Sequence, residues 1–348
     1  MKILASNCFV SKGYRTNLLI DLQNNGWYHI NENEIQLLNE NSTYLKELLE
    51  LGIILEVPDF LKNNLSKYDF SYYSFPKIES IIIDKDFSSK FSLIDCLKIF
   101  DVYNPIHLQV RFFSNSNFEE ILELIEALSD FSIESLELLI MFNNELYNKL
   151  NDLNVIIKFS KLRQIIFHSF DTSLKIERPI SKKIIFSEEK IKSATNCGQI
   201  SFFNFSNNKN HILKSRNFNS CLYKKIGIDV NGNIKNCPSL PQVIGNIMDD
   251  NLVLNLESLT TSKIKKDEIE VCKDCEFRYI CTDCRAFTDS NSRPNARPSK
   301  CQYNPYISKW SHEDEYLSLE ECGVISNEDE FSIDHEKIAL INKQIWGE

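Results

Sequence analysis

Seven of the eleven cysteines in this 348-residue chain fall between Cys221 and Cys301, and their spacing constrains the fold more than any other feature. They are Cys221, Cys237, Cys272, Cys275, Cys281, Cys284 and Cys301. Two CxxC turns, Cys272-Lys-Asp-Cys275 and Cys281-Thr-Asp-Cys284, stand five residues apart. Such a turn reverses the chain and lets two thiolates converge on one metal. Four unpaired thiolates crowded into thirteen residues would be prone to oxidation, so a shared ligand role is the economical reading. A disulfide framework competes with it and fits poorly, because disulfide-dense chains are typically short and secreted.

The spacing also bears on which metal. A zinc ribbon separates its two knuckles by roughly 15–20 residues, whereas the gap here is five. Seven cysteines exceed one tetrahedral site and fall one short of two. The count points to two four-thiolate sites, with one ligand from outside the run. Cys197, in Asn196-Cys197-Gly198, is the nearest candidate. Iron–sulfur clusters are held by four such thiolates each, often gathered from distant parts of a chain; zinc is the alternative.

Composition narrows the partners. Hydrophobic residues at 43% and charged residues at 25% are ordinary for a globular chain of about two domains. A net charge of −10, with no basic stripe, argues against nucleic acid. No apolar run approaches the length of a membrane span. The opening Met1-Lys2-Ile3-Leu4-Ala5 has too short an apolar core for a signal peptide. A cytoplasmic location, where thiols stay reduced, is expected.

Read in order, the chain opens with strand-like Thr16–Leu22 and Trp27–Ile30, joined by a hairpin signal at Asn24-Asn25-Gly26. Asn31 with Glu34 forms a capping box for a helix carrying Ile35, Leu37 and Leu38. A second helix, Tyr44–Leu51, stops at Gly52. A connector over residues 59–77 carries Phe70, Tyr72, Tyr73 and Phe75, expected to pack on its neighbours. From Ile78 to about Ile191 strands alternate with helices. The strand-like runs are Ser80–Ile83, His107–Phe113, Leu136–Phe142, Leu162–Phe167 and Lys183–Phe186. Helix Asn117–Leu128, capped by Asn117 with Glu120, shows Ile121, Leu124, Ile125 and Leu128 on one face. This alternation predicts an α/β fold with a parallel sheet and crossover helices. Cys96 reads as a buried core thiol, and Cys8 and Cys322 stand alone. The six histidines are scattered, and no glycine-rich phosphate loop appears. A final helix, His335–Trp346, offers Ile338, Ile341, Ile345 and Trp346 for docking.

These residues resemble a family. The run from Cys221, with Gly232 inside it, is similar to the SPASM domain, the C-terminal extension of many radical-SAM peptide-modifying enzymes. The last short spacing is x2 here where the family has x3, which bears on Cys284. Together with Leu18–Ile30, the Cys197-Gly pair, Cys221 through Trp310 and the closing Asn-Glu-Asp-Glu-Phe-Ser-Ile-Asp-His run, it looks like the SPASM protein of grasp-with-spasm systems. The resemblance implies two [4Fe-4S] clusters. Cys272, Cys275, Cys281 and Cys301 would hold one; Cys221, Cys237 and Cys284, with Cys197 as fourth ligand, would hold the other. It also implies a division into a winged-helix-like peptide-recognition module (1–58), a partial (β/α) barrel like a degenerate radical-SAM core (59–195), a SPASM domain (196–310) and a tail with a helix (311–348). A radical-SAM enzyme carries C-x3-C-x2-C after its first barrel strand. Here Ile83 is followed by Asp84-Lys85-Asp86-Phe87, so no SAM chemistry is expected. The implied function is maturation of a ribosomally made precursor peptide together with an ATP-grasp ligase. A redox enzyme acting through the clusters and a zinc-stabilised interaction protein are the alternatives, and no catalytic residue stands out.

Overall fold

A computed structural model of the chain describes residues 2–30, 43–60, 66–153, 159–174 and 182–347. The chain forms two compact units, each discontinuous in sequence. One comprises Met1–Tyr73, Gly198–Tyr223 and Lys263–Glu348; the other comprises Ser74–Cys197 and Lys224–Ser262. The first unit carries the cysteine pairs and the second carries the large sheet.

The first unit begins with β1 (Lys2–Leu4), β2 (Cys8–Lys12), β3 (Asn17–Asp21) and β4 (Gly26–Ile30), followed by α1 (Thr43–Glu50) and β5 (Ile54–Glu56). Strands β2, β3 and β4 form an antiparallel meander with β3 in the centre, and β1 pairs with β5. Every residue of β3 is buried, because both faces are covered. Leu18 and Ile20 join Phe9, Phe277 and Tyr279 in one apolar cluster, while Leu19 joins Leu45 and Leu48 of α1 in another. The expected hairpin forms, with Asp21 paired to Gly26 across the turn. Asp21 accepts from the backbone of Gln23 (2.8 Å) and from Asn24 Nδ2 (2.6 Å), and Asn25, not Gly26, takes the left-handed conformation at φ 52°. The Asx-type bonds of Asp21 set this geometry. The capping box at Asn31 and Glu34 and its helix lie outside the described residues.

The second unit is built on β6 (Ser80–Lys85), α2 (Leu97–Tyr103), β7 (His107–Phe112), α3 (Phe118–Ala127), β8 (Ser135–Met141), α4 (Asn144–Leu153), β9 (Leu162–His168) and β10 (Ile184–Phe186). The chain then contributes α5 (Lys209–Asn217) to the first unit and returns to the sheet as β11 (Lys225–Ile228), β12 (Asn233–Lys235) and β13 (Val243–Asn246). The result is a mixed α/β unit with an eight-stranded sheet in the order β10-β9-β8-β7-β6-β11-β12-β13. Strands β6 to β11 pair in parallel and the last two are antiparallel. Residues Ile81, Ile83, Leu108, Val110, Leu136 and Leu138 form its core with Ile121, Leu124 and Ile125 of α3. Asn117 caps α3 by accepting from the Glu119 amide at 3.0 Å. Glu120 does not close the expected capping box: its Oε1 instead takes Lys85 Nζ at 2.7 Å and the Leu93 amide at 3.3 Å.

The first unit closes with β14 (Tyr303–Asn304), β15 (Lys309–Trp310), β16 (Val324–Ser326), β17 (Phe331–Ile333) and α6 (His335–Trp346). Asp334 caps α6, accepting from the Lys337 amide at 2.9 Å. Ile338 and Ile341 pack with Val271, Tyr306, Ile307 and Cys322, and Trp346 Nε1 donates to the Ile307 carbonyl at 3.1 Å. Among the connector aromatics, Phe70 packs on Phe9 and Tyr72 on Tyr223. Tyr73 and Phe75 do not pack as expected; they are 79% and 103% exposed.

Candidate metal centre

Four of the sequence-selected thiols come together. Cys272, Cys275, Cys281 and Cys301 line one cavity in the first unit, with about 30 Å³ open to the centre of a water molecule. Its other walls are mainly apolar: Ile200, Phe205, Val271, Phe277, Tyr303, Pro305 and Trp310. Short 3-10 turns position the first CxxC pair. Cys272–Asp274 forms one and Glu276–Tyr279 the next, so that Cys275 sits between them with its amide donating to the Cys272 carbonyl at 3.1 Å. Cys301 is brought in by a bridge to Ile200.

Burial dominates the electrostatics of these thiols. It pushes Cys272 up to about 11, with Lys266 opposing, and raises Cys275, Cys281 and Cys301 as well. Each also feels the others as like charges, as Cys275 does from Cys272, Cys281 and Cys301. Four thiols in such a chamber do not ionise on their own. A cation that accepts their electrons is what makes thiolates affordable there. Among the described residues no group of three or more Cys, His, Asp or Glu side chains is placed to hold a metal ion as it stands.

The surrounding shell contains charges that sequence reasoning missed. Lys266 is 1% exposed, lines the same cavity, and among the described residues donates to the Cys281 carbonyl alone, at 3.4 Å. Asp283, between Cys281 and Cys284, is 1% exposed; it takes Arg285 Nε at 3.0 Å and a short bond from Asn219 Nδ2. Asn219 in turn accepts from the Cys221 and Leu222 amides, so one polar network ties Cys221 to the second CxxC turn. Arg285 also donates to the Ala296 carbonyl at 2.6 Å, but its other terminal nitrogen, Nη2, is buried with no partner among the described residues. Lys266, Asp283 and Arg285 look in the sequence like ordinary solvated charges, and only their position inside the cysteine spacing marks them. Gly198 follows Cys197 at φ 87°, where a Cβ would lie 2.8 Å from Cys284 Sγ, so this position accepts only glycine.

The β2–β3 turn packs on the same segment. Tyr14 donates its amide to the Asp274 carbonyl at 2.7 Å, and Thr16 Oγ1 donates to Glu276 Oε1 at 2.6 Å. Tyr303 OH donates to the same oxygen at 2.5 Å. Glu276 is fully buried; burial raises its pKa and these two donors work against that.

The other expected ligands divide between the units. Cys221 and Cys284 belong to the first, Cys197 and Cys237 to the second. Within the second unit, Arg111 grips Asp84 in a two-pronged contact of 2.6 and 2.9 Å at the ends of β6 and β7. Burial works against the Arg111 charge, but Asp84 holds it up, and Cys197 and Cys237 are near enough to add to that. Arg111 and Cys197 share a cleft with Gln109, Glu137 and Glu189. After β6, Lys85 Nζ is taken by the Phe91 carbonyl and by Glu120, both at 2.7 Å. The lone thiols Cys8, Cys96 and Cys322 are buried. Burial, with Asp21 adding to it, lifts Cys8 to about 12.

No protein-family model matches the chain, and no curated protein is significantly similar to it. Among solved structures, the crystal structure of Streptococcus suis SuiB aligns at 12% identity over 86% of this chain and 99% of that one. The TM-score is 0.28, a likeness too weak to carry an argument about fold or function. No described helix is long and apolar enough to cross a membrane.

Proposed function

We propose that the protein is an iron–sulfur protein of peptide maturation. It binds a ribosomally made precursor and acts with an ATP-grasp ligase. One observation carries the cluster: Cys272, Cys275, Cys281 and Cys301 line a single cavity. The donor set suits the group. The four thiols line one cavity, and a cluster with iron at its corners is held by four such cysteines. A tetrahedral zinc would need its sulfurs about 2.3 Å from one centre. Buried Lys266, which lines the same cavity, supplies a positive charge that a dianionic cluster calls for. When bound, the cluster would tie together the Cys272–Cys275 turn, Cys281 and Cys301, and offer a one-electron carrier. The cysteine pattern assigns Cys221, Cys237, Cys284 and Cys197 to a second cluster.

Peptide binding is supported by two features of the first unit. Strand β4 is an outer strand of the meander, the kind of edge to which an extended peptide adds. Trp27 on β4 packs edge-on against Phe202, and the neighbouring Phe203 is 94% exposed. The chain's own residues would thus hold and orient a peptide, leaving bond formation to the ligase. The stretch after β6 bears no cysteine before Cys96, and its Lys85 is engaged internally, which favours a binding role over radical generation from SAM. To test this, the reconstituted protein is added to ligase, ATP and precursor. Crosslinked product should accumulate faster than with ligase and precursor alone, and no 5′-deoxyadenosine should form from SAM. A ligase indifferent to the protein, or turnover-scale 5′-deoxyadenosine, would overturn the reading.

A further inference from the structure

Lys266 is a buried charge with no ion-pair partner among the described residues; Asp283 acts on it only from beyond contact distance. Its side chain is 1% exposed, so the ammonium does not reach solvent. Among the described residues no carboxylate lies within ion-pair distance of Nζ, and its hydrogen bond runs to the Cys281 carbonyl at 3.4 Å. Asp283, whose charge Lys266 feels, is already committed to Arg285 and Asn219. An ammonium buried without an anion costs several kcal/mol, and a native chain tolerates it only where an anion completes the site. The anion that fits is the one the neighbouring thiols would hold, because Lys266 lines the cavity with Cys272, Cys275, Cys281 and Cys301.

We propose that Lys266 is the buried counter-cation of this four-thiolate site and sets the reduction potential of the cluster bound there. The inference rests on the cluster reading above. Four thiolates on a [4Fe-4S] core give a dianion that becomes a trianion when it takes one electron from a low-potential donor. A cation fixed beside it in a water-poor cavity stabilises the trianion more than the dianion, so it raises the potential. Hydrogen bonds and local charge are among the levers by which a protein tunes such clusters.

The test uses the full chain, reconstituted anaerobically, with Lys266→Met to remove the charge at similar length and Lys266→Arg to keep it. Iron and sulfide are measured first; the protein is then titrated with dithionite and followed by electron paramagnetic resonance. The component absent in Cys275→Ala is the one assigned to this site. Its midpoint should fall in Lys266→Met by at least a tenfold change in the reduction equilibrium, 59 mV for one electron. In Lys266→Arg it should stay within that margin. Loss of iron in Lys266→Met but not in Lys266→Arg would equally support a counter-cation, acting at assembly. A full iron content with an unmoved midpoint would overturn the role of Lys266 and leave the cluster reading standing. Loss of iron in both variants would assign Lys266 to packing and overturn it too. Iron-free parent protein would overturn the cluster reading itself.

Discussion

At the scale of single residues, chemistry here is decided by what burial does to ionisable groups. The four cavity thiols illustrate it: CxxC spacing made the pairing of Cys272 with Cys275 legible, but Cys284 does not line the cavity with Cys281, and the set of four came from the family resemblance and not from spacing. Lys266, Asp283 and Arg285 were not legible, since a lysine or aspartate in a sequence carries no mark of whether it will meet water. His168 gives a case away from the cysteines. It is fully buried at the end of β9; its Nε2 faces the Phe112 carbonyl at 2.8 Å and its Nδ1 the Ser169 hydroxyl at 3.0 Å. A carbonyl only accepts, so Nε2 carries the proton and Nδ1 accepts. Burial lowers its pKa below the ordinary 6.5, against smaller opposing effects of the Phe112 carbonyl and Glu189. The unfolded chain therefore binds a proton that the folded one refuses. Stability from this residue is complete above the unfolded value and is lost as pH falls below it towards the folded one. Urea unfolding at about pH 7.5 and about pH 5.5 should show the parent losing more stability than His168→Gln. Equal losses would mean that the imidazole is charged in the folded state.

At the scale of elements, periodicity located most of the second unit. Strand β7 was expected at His107–Phe113 and spans His107–Phe112, and α6 spans His335–Trp346 as read. Register and partners were less accessible. Strand β3 looked like one arm of an isolated hairpin, but its unbroken apolar run reflects burial on two faces, one of them against Phe277 and Tyr279 from the cysteine segment. Such contacts join residues more than 250 positions apart, beyond any local pattern. The β2–β3 turn should accordingly help hold the CxxC region. In Thr16→Val the hydroxyl that donates to buried Glu276 is gone, with shape nearly kept. Losing such a partner costs about 1–3 kcal/mol. Amide exchange over residues 12–16 and 272–278 should then be about tenfold to a hundredfold faster, with β6–β9 unaffected. Unchanged exchange in the 272–278 segment would detach the turn from the site.

At the scale of the whole molecule, the chain is organised as two interleaved units, because it crosses between them repeatedly. The Lys225-Ile-Gly-Ile228 run joins β6 in parallel, and Gly227 stands where a Cβ would meet the Pro238 ring at 2.2 Å. A short apolar run among the cysteines gave no hint that it belonged to a sheet begun some 140 residues earlier. The central claim is that Cys272, Cys275, Cys281 and Cys301 hold one four-iron cluster, with a second held by the remaining set. Iron and acid-labile sulfide in the anaerobically reconstituted protein test it most directly. The parent should contain about eight of each per chain, and Cys275→Ala with Cys281→Ala about four of each. Stoichiometric zinc without sulfide, or full iron in the double variant, would contradict it.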